Sequence, residues 1–183
     1  MNPFPTILVL VLGFLTIFGE ATFSAPRQWL GAQVDLLPAL MVYAALETGL
    51  PTVAALAILG GLGFDSLSAN PLGISILPLF LTGWVIQFRR DLILRDLTFA
   101  QFILGTAACG AVPLFTLLLL LSGGKQPLVG WGTIWQWVVM TLFGGLATPF
   151  FFRLGAWLNG RLGHTSQPET SFRPDREIRR GRQ

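Results

Sequence analysis

Apolar residues fall into six runs, separated by short segments that hold most of the charged and turn-forming residues. The runs are residues 4–18, 36–46, 50–64, 72–88, 97–121 and 131–152. A helix that crosses a bilayer needs about 20 residues, within a range of about 17–25. The last three runs meet this length, whereas the second and third are shorter. The pattern predicts an all-α membrane protein, a six-helix transmembrane bundle.

The second and third runs leave two arrangements open. At 1.5 Å per residue, the third run extends only about 22 Å. In the first, Asp35, Glu47 and Asp65 lie at membrane interfaces, where the bilayer is thinned or their side chains snorkel to the surface. In the second, the two runs form a hairpin that does not fully cross the membrane. Residues 47–51, Glu-Thr-Gly-Leu-Pro, are typical of a turn between them.

Composition supports the membrane interpretation. The chain is 52% hydrophobic and 11% charged, whereas a soluble domain carries about 25% charged residues. No Lys or Arg precedes the first run, so we expect a retained helix rather than a cleaved signal peptide. The domain prediction is a transmembrane bundle over residues 1–160, followed by a basic, disordered cytoplasmic tail over 161–183. Basic and aromatic residues do not cluster on polar segments, so nucleic acid is not an expected partner.

The distribution of basic residues predicts the orientation. Arg89, Arg90 and Arg95 join the fourth and fifth runs, and seven of the twelve basic residues lie from Arg153 onward. Because cytoplasmic loops are enriched in Lys and Arg, both regions are expected inside, with both termini cytoplasmic. The segment 122–130, with a single basic residue, is then expected outside.

Residues suited to catalysis are scarce. His164 is the only histidine and Cys109 the only cysteine. No His, Cys and carboxylate spacing suits a transition metal, and no glycine pair precedes the Lys-Ser/Thr of a nucleotide loop. We therefore predict no catalytic residues, no metal and no cofactor.

The segment GGLGFDSLSANPLG, residues 60–73, places a carboxylate between two apolar runs. Asn70 and Pro71 are typical of a helix start, as N-cap and first helical residue. A carboxylate within a bilayer costs about 2.5–3.5 kcal/mol and is a functional candidate by default. Asp65 is therefore either a functional residue or a wet interfacial residue that caps backbone N–H groups. Its expected donors are backbone N–H groups or Ser66 and Ser68.

Small residues are expected at helix contacts, because lipid provides no hydrophobic drive for helix association. Gly60, Gly61 and Gly63 would serve this role in the third helix. Gly144 and Gly145, followed by Pro149, would let the sixth helix bend against its neighbours.

The tail is rich in arginine and poor in apolar residues. It either remains a solvated segment that only fixes topology, or contacts anionic lipid headgroups or a cytoplasmic partner. The candidate contact residues are Arg173, Arg176, Arg179, Arg180 and Arg182.

The segment around Asp65 resembles the signature loop of the MreD family, membrane subunits of the bacterial rod-shape machinery. The matching residues are Gly61, Asp65, Ser68, Pro71, Leu72 and Gly73. The resemblance implies a non-catalytic protein of the bacterial inner membrane that supports peptidoglycan synthesis and cell-shape control. It also implies binding to an MreC-like single-span protein, with links to RodA, a class B penicillin-binding transpeptidase and MreB filaments.

The fold that this resemblance implies is similar to the substrate-binding subunits of energy-coupling factor transporters. The alternative function is therefore that of a subunit that binds a vitamin-like small molecule for an energy-coupling transporter. Those subunits carry an Ala-x-x-x-Ala face on the first helix, which residues 3–19, PFPTILVLVLGFLTIFG, do not contain. This difference favours the shape-determining interpretation.

Overall fold

The computed structural model describes residues 3–22, 31–68, 70–90, 97–125 and 130–162, which form six helices and no strand. The helices are α1 (Pro3–Thr22), α2 (Leu37–Glu47), α3 (Leu50–Leu67), α4 (Ile76–Phe88), α5 (Thr98–Ser122) and α6 (Trp131–Leu162). The prediction of an all-helical protein is confirmed. Four of these helices, α1, α3, α5 and α6, are long and apolar enough to cross a membrane, which is compatible with a multi-pass membrane protein.

The short helix α2 lies at the centre of the bundle and contacts all five other helices. Every residue from Leu37 to Leu46 is buried. A helix that is apolar on all sides is typical of a protein core or of a membrane span, and here the other helices surround it. Its 11 residues extend about 16 Å, which is shorter than the hydrocarbon core of a bilayer. Helix α2 is therefore a core helix of the bundle.

Helices α5 and α6 form the most extensive helix pair in the bundle. A Cβ atom added to Gly144 would overlap the Cys109 sulfur, and one added to Gly145 would overlap the Thr106 hydroxyl. The two helix backbones therefore approach closely at these glycines, as small residues allow. Pro149 lies inside the continuous helix α6; the predicted bend at these residues stays a prediction.

Two lengths predicted from the apolar runs are wrong. The third helix does not stop at Phe64: it continues through Asp65 to Leu67 and reaches 18 residues. The fourth, expected to span from residue 72, begins only at Ile76 and has 13 residues. Asn70 and Pro71 do not start this helix, because its N-cap is Ser75 and residues between them form a turn.

Contacts between helix ends define the two ends of the bundle. The Thr6 and Thr52 hydroxyls are hydrogen bonded at 2.9 Å, so α1 begins where α3 begins. At the other end, the Leu36 N–H donates to Glu20 Oε1 at 2.7 Å. This second end, which also contains Asp65, is called the Asp65 end below.

The predicted tail lies almost entirely outside the described residues. Helix α6 extends to Leu162, two residues past the predicted domain boundary, and the Arg161 guanidinium lies 5.0 Å from the centre of the Trp157 ring. Residues Arg173, Arg176, Arg179, Arg180 and Arg182 lie outside the described residues. The orientation of the termini stays a prediction.

Candidate functional site

Asp65 is the centre of a hydrogen-bonded turn that joins α3 to α4. The backbone N–H groups of Gly73 and Ser75 donate to Asp65 Oδ2 at 2.8 and 3.1 Å. The Ser75 hydroxyl donates to Oδ1 at 2.5 Å. Hydrogen bonds to charged groups contribute about 1.5–3 kcal/mol each, so three of them offset an insertion cost of about 2.5–3.5 kcal/mol.

These contacts bear on the two alternatives left open for Asp65. Its side chain caps backbone N–H groups, as the second alternative expected, but it is only 1% exposed and therefore buried, not wet. A functional role for Asp65 stays a prediction. The expectation of backbone donors agrees with the geometry, whereas Ser66 and Ser68 are not its donors. Their hydroxyls donate instead to the backbone carbonyls of Gly63 and Asp65. The Ser75 hydroxyl is a partner that the sequence did not indicate.

Gly61 and Gly73 fix the shape of the segment around Asp65, which we call the Asp65 turn (residues 65–75, without 69, which is not described). A Cβ atom on Gly61 would lie 2.9 Å from the backbone nitrogen of Ile76, so the backbones of α3 and α4 touch there. Gly73 has a φ of 90°, a conformation that residues with a Cβ rarely adopt. Its N–H reaches Asp65 in that conformation.

Two further residues of this segment, Pro71 and Leu72, face outward, whereas Ser68 is half-buried. Leu72 is 71% exposed, and Pro71 is exposed as well. The exposed fractions of Pro71 and Leu72 are therefore far larger than that of Asp65. The Asp65 turn therefore combines a buried hydrogen-bond centre with an exposed apolar tip.

A cavity of about 420 Å³ lies beside the Asp65 turn, between α4, α5, α6 and the segment that precedes α2. Most of its wall is apolar, and the side chains that contribute to this part include Leu79, Val112, Leu117, Leu120, Ile134 and Met140. The polar side chains in the wall include Asp35, Asn70, Ser75 and Gln136. We call this space the Asp35 cavity. An apolar pocket of about 300–1,000 Å³ with few polar groups is typical of a small-molecule site.

Most polar groups of the cavity wall are engaged within the protein. Ser75 donates to Asp65, and the Trp137 indole N–H donates to the Gly110 carbonyl at 2.9 Å. The side-chain amide of Gln136 donates to the Gln33 carbonyl at 3.0 Å and accepts from its N–H at 3.2 Å. These bonds hold α6 against the segment before α2.

Asp35 differs from these residues. It is 4% exposed, and its Oδ1 accepts the N–H of Leu37 at 2.9 Å, which caps the first turn of α2. No described residue donates a hydrogen bond to Oδ2. Burial raises the pKa of the Asp35 carboxyl above its ordinary value, and the Leu37 hydrogen bond partly opposes that change.

The sequence analysis left open whether Asp35 lies at an interface or beside a hairpin that does not fully cross, and it did not place Asp35 at a cavity. Glu20 was not singled out either, although its carboxyl group accepts the N–H of Leu36, the residue that follows Asp35. A carboxylate between apolar segments is a functional candidate, and this signal applied to Asp35 as well as to Asp65.

Within the described ranges, no three His, Cys, Asp or Glu side chains lie close enough to hold a metal ion. Cys109 is buried in the contact between α5 and α6.

No family model, no curated protein and no solved structure matches this chain.

Proposed function

We propose that this protein is a non-catalytic membrane subunit of the bacterial cell-elongation machinery that captures an MreC-like single-span protein. It would reside in the inner membrane, with both termini cytoplasmic, and support peptidoglycan synthesis and cell shape. The observation that carries the proposal is the Asp65 turn, whose motif residues hold Leu72 outward on a rigid support. A fixed apolar tip loses little conformational freedom when it binds a partner.

The proposal extends to the wider assembly through the same family resemblance. RodA, a class B penicillin-binding transpeptidase and MreB filaments would be reached through the MreC-like protein or beside it. The five tail arginines named above would contact anionic lipids or a cytoplasmic partner, each contributing about 1 kcal/mol near the membrane surface.

Copurification tests the proposal. The protein and the MreC-like protein of the same organism are expressed together and isolated through a tag on one of them. Leu72→Ala should leave abundance unchanged and reduce the recovered partner several-fold. Leu146→Ala is the matched control, since Leu146 is an exposed leucine of α6 far from residue 72 in the chain. Normal abundance of both proteins without any copurification would overturn the proposal.

A second candidate is the small-molecule binding subunit of an energy-coupling transporter. The Asp35 cavity favours it, because its volume and apolar wall suit a small ligand. Copurification with a pair of ATPases, together with nanomolar binding of a vitamin-like molecule, would favour this function over the adaptor.

A further inference from the structure

We propose that the Asp35 cavity binds a single-chain amphiphile with a primary ammonium head, whose N–H groups donate to Asp35 Oδ2 while its hydrocarbon chain lies along α5 and α6. The same class of ligand is expected whether the protein is an adaptor or an importer subunit. It is inferred from the cavity and does not depend on capture of a single-span partner.

The first argument is Asp35 Oδ2, to which none of the described residues donates a hydrogen bond. A buried carboxylate is stable when its oxygens accept hydrogen bonds, as both oxygens of Asp65 do. Asp35 is more than nine-tenths buried, yet only its Oδ1 accepts a bond from a described residue. Because Asp35 contributes to the cavity wall, a ligand in the cavity can supply the missing donor.

The second argument is the sign of the charge. Asp35 is the one acidic residue among the described residues that line the cavity, and none of them is Lys or Arg. A cation placed against the Asp35 carboxylate is attracted to it, whereas an anionic head is repelled. Ammonium also forms charge-assisted hydrogen bonds, which are stronger than those of a neutral hydroxyl.

The third argument is the shape of the wall. On α5, Val112, Leu117 and Leu120 contribute to the cavity, and Ile134 and Met140 contribute on α6. These apolar residues extend along both helices, so they suit a hydrocarbon chain better than a polar ring system. The ligand is thus polar at the Asp35 carboxylate and apolar elsewhere.

The test uses the full chain in nanodiscs of a zwitterionic lipid and an alkylamine that carries an aliphatic diazirine. After irradiation, labelled peptides are identified by mass spectrometry, and unlabelled dodecylamine, dodecanol and dodecanoate are compared as competitors. We expect labelling on the cavity stretches of α5 and α6. Dodecylamine should compete at a concentration about tenfold lower than dodecanol, as one charge-assisted bond predicts, and dodecanoate least of all.

Two pairs of variants localise the binding. Asp35→Asn should weaken competition by dodecylamine about tenfold and leave dodecanol unchanged, while Glu47→Gln, which removes a carboxylate at the other end of the bundle, should change neither. Leu117→Trp fills the cavity and should abolish labelling. Leu118→Trp is its control, because Leu118 is 53% exposed and does not line the cavity.

Equal competition by dodecylamine and dodecanol on the wild-type protein would overturn the ammonium head, even if Asp35→Asn failed to fold. Labelling that Leu117→Trp leaves unchanged would show that the probe marks lipid-facing helix surfaces, and would overturn the cavity as the site. Both outcomes are independent of whether the MreC-like protein copurifies.

Discussion

Asp65 and Asp35 are both buried carboxylates at the same end of the bundle, but their surroundings differ. Asp65 accepts three hydrogen bonds, two of them from backbone N–H groups in the turn that leads into α4. Asp35 accepts one from the part of the chain that the structure describes, and its side chain lines a cavity. A buried charge with complete hydrogen bonding holds a fold together, whereas one with an open acceptor is available to a ligand. The comparison assigns structure to Asp65 and recognition to Asp35.

The largest effect should come from Asp65→Ala. The change leaves the N–H groups of Gly73 and Ser75 and the Ser75 hydroxyl without their acceptor, and each such group costs about 1–3 kcal/mol. We expect the free energy of unfolding to fall by about 3 kcal/mol or more and the abundance in membranes to drop. Asp65→Asn keeps one acceptor oxygen and should be milder. Thermal unfolding in one detergent measures both; a wild-type unfolding temperature for Asp65→Ala would break the comparison.

A smaller effect is expected from Gly73→Ala. The added Cβ meets only the end of the Ile76 side chain, at 3.8 Å, so the cost is the strain of a φ of 90°, about 1–2 kcal/mol. Relief of that strain would move the N–H away from Asp65. Gly31→Ala is the control, since Gly31 also has a positive φ but is exposed. Equal losses of stability in the two variants would mean that the Asp65 bond adds nothing.

The smallest effect on stability is expected from Asp35→Asn. The amide oxygen can still accept the Leu37 N–H, which is the one hydrogen bond that Asp35 accepts from a described residue. The free energy of unfolding should stay within about 1 kcal/mol of the wild type. A loss as large as that of Asp65→Ala would contradict the recognition role, because it would show that Asp35 also holds the fold.

The apolar runs were enough to predict six helices, because burial in lipid or protein requires long apolar stretches. They could not predict where α3 ends. Asp65 is polar, and the helix can include it because hydrogen-bond donors eight and ten residues later in the chain bind its carboxylate. Asn70 and Pro71 carry the local signal of a helix start, but the contacts of Gly73 and Ser75 with Asp65 favour a turn at that point.

The candidate site, too, could be predicted only in part, because some of it depends on contacts between residues that lie far apart in the chain. The motif around Asp65 was visible because its glycines and serines are adjacent in sequence. Asp35 was not singled out, because its significance depends on a cavity whose walls come from α4, α5 and α6. The central position of α2 was also not predictable, since a short apolar run is equally typical of a core helix and of a partial span.

The most direct test of the comparison is the shift in unfolding temperature that saturating dodecylamine produces in the wild type, Asp35→Asn and Asp65→Asn. We expect Asp35→Asn to unfold near the wild-type temperature without ligand and to show almost no shift. Asp65→Asn should unfold at a lower temperature and keep the shift, since ligand binding to the folded state adds its own stabilisation. A full shift in Asp35→Asn, or none in the wild type, would contradict the assignment of recognition to Asp35.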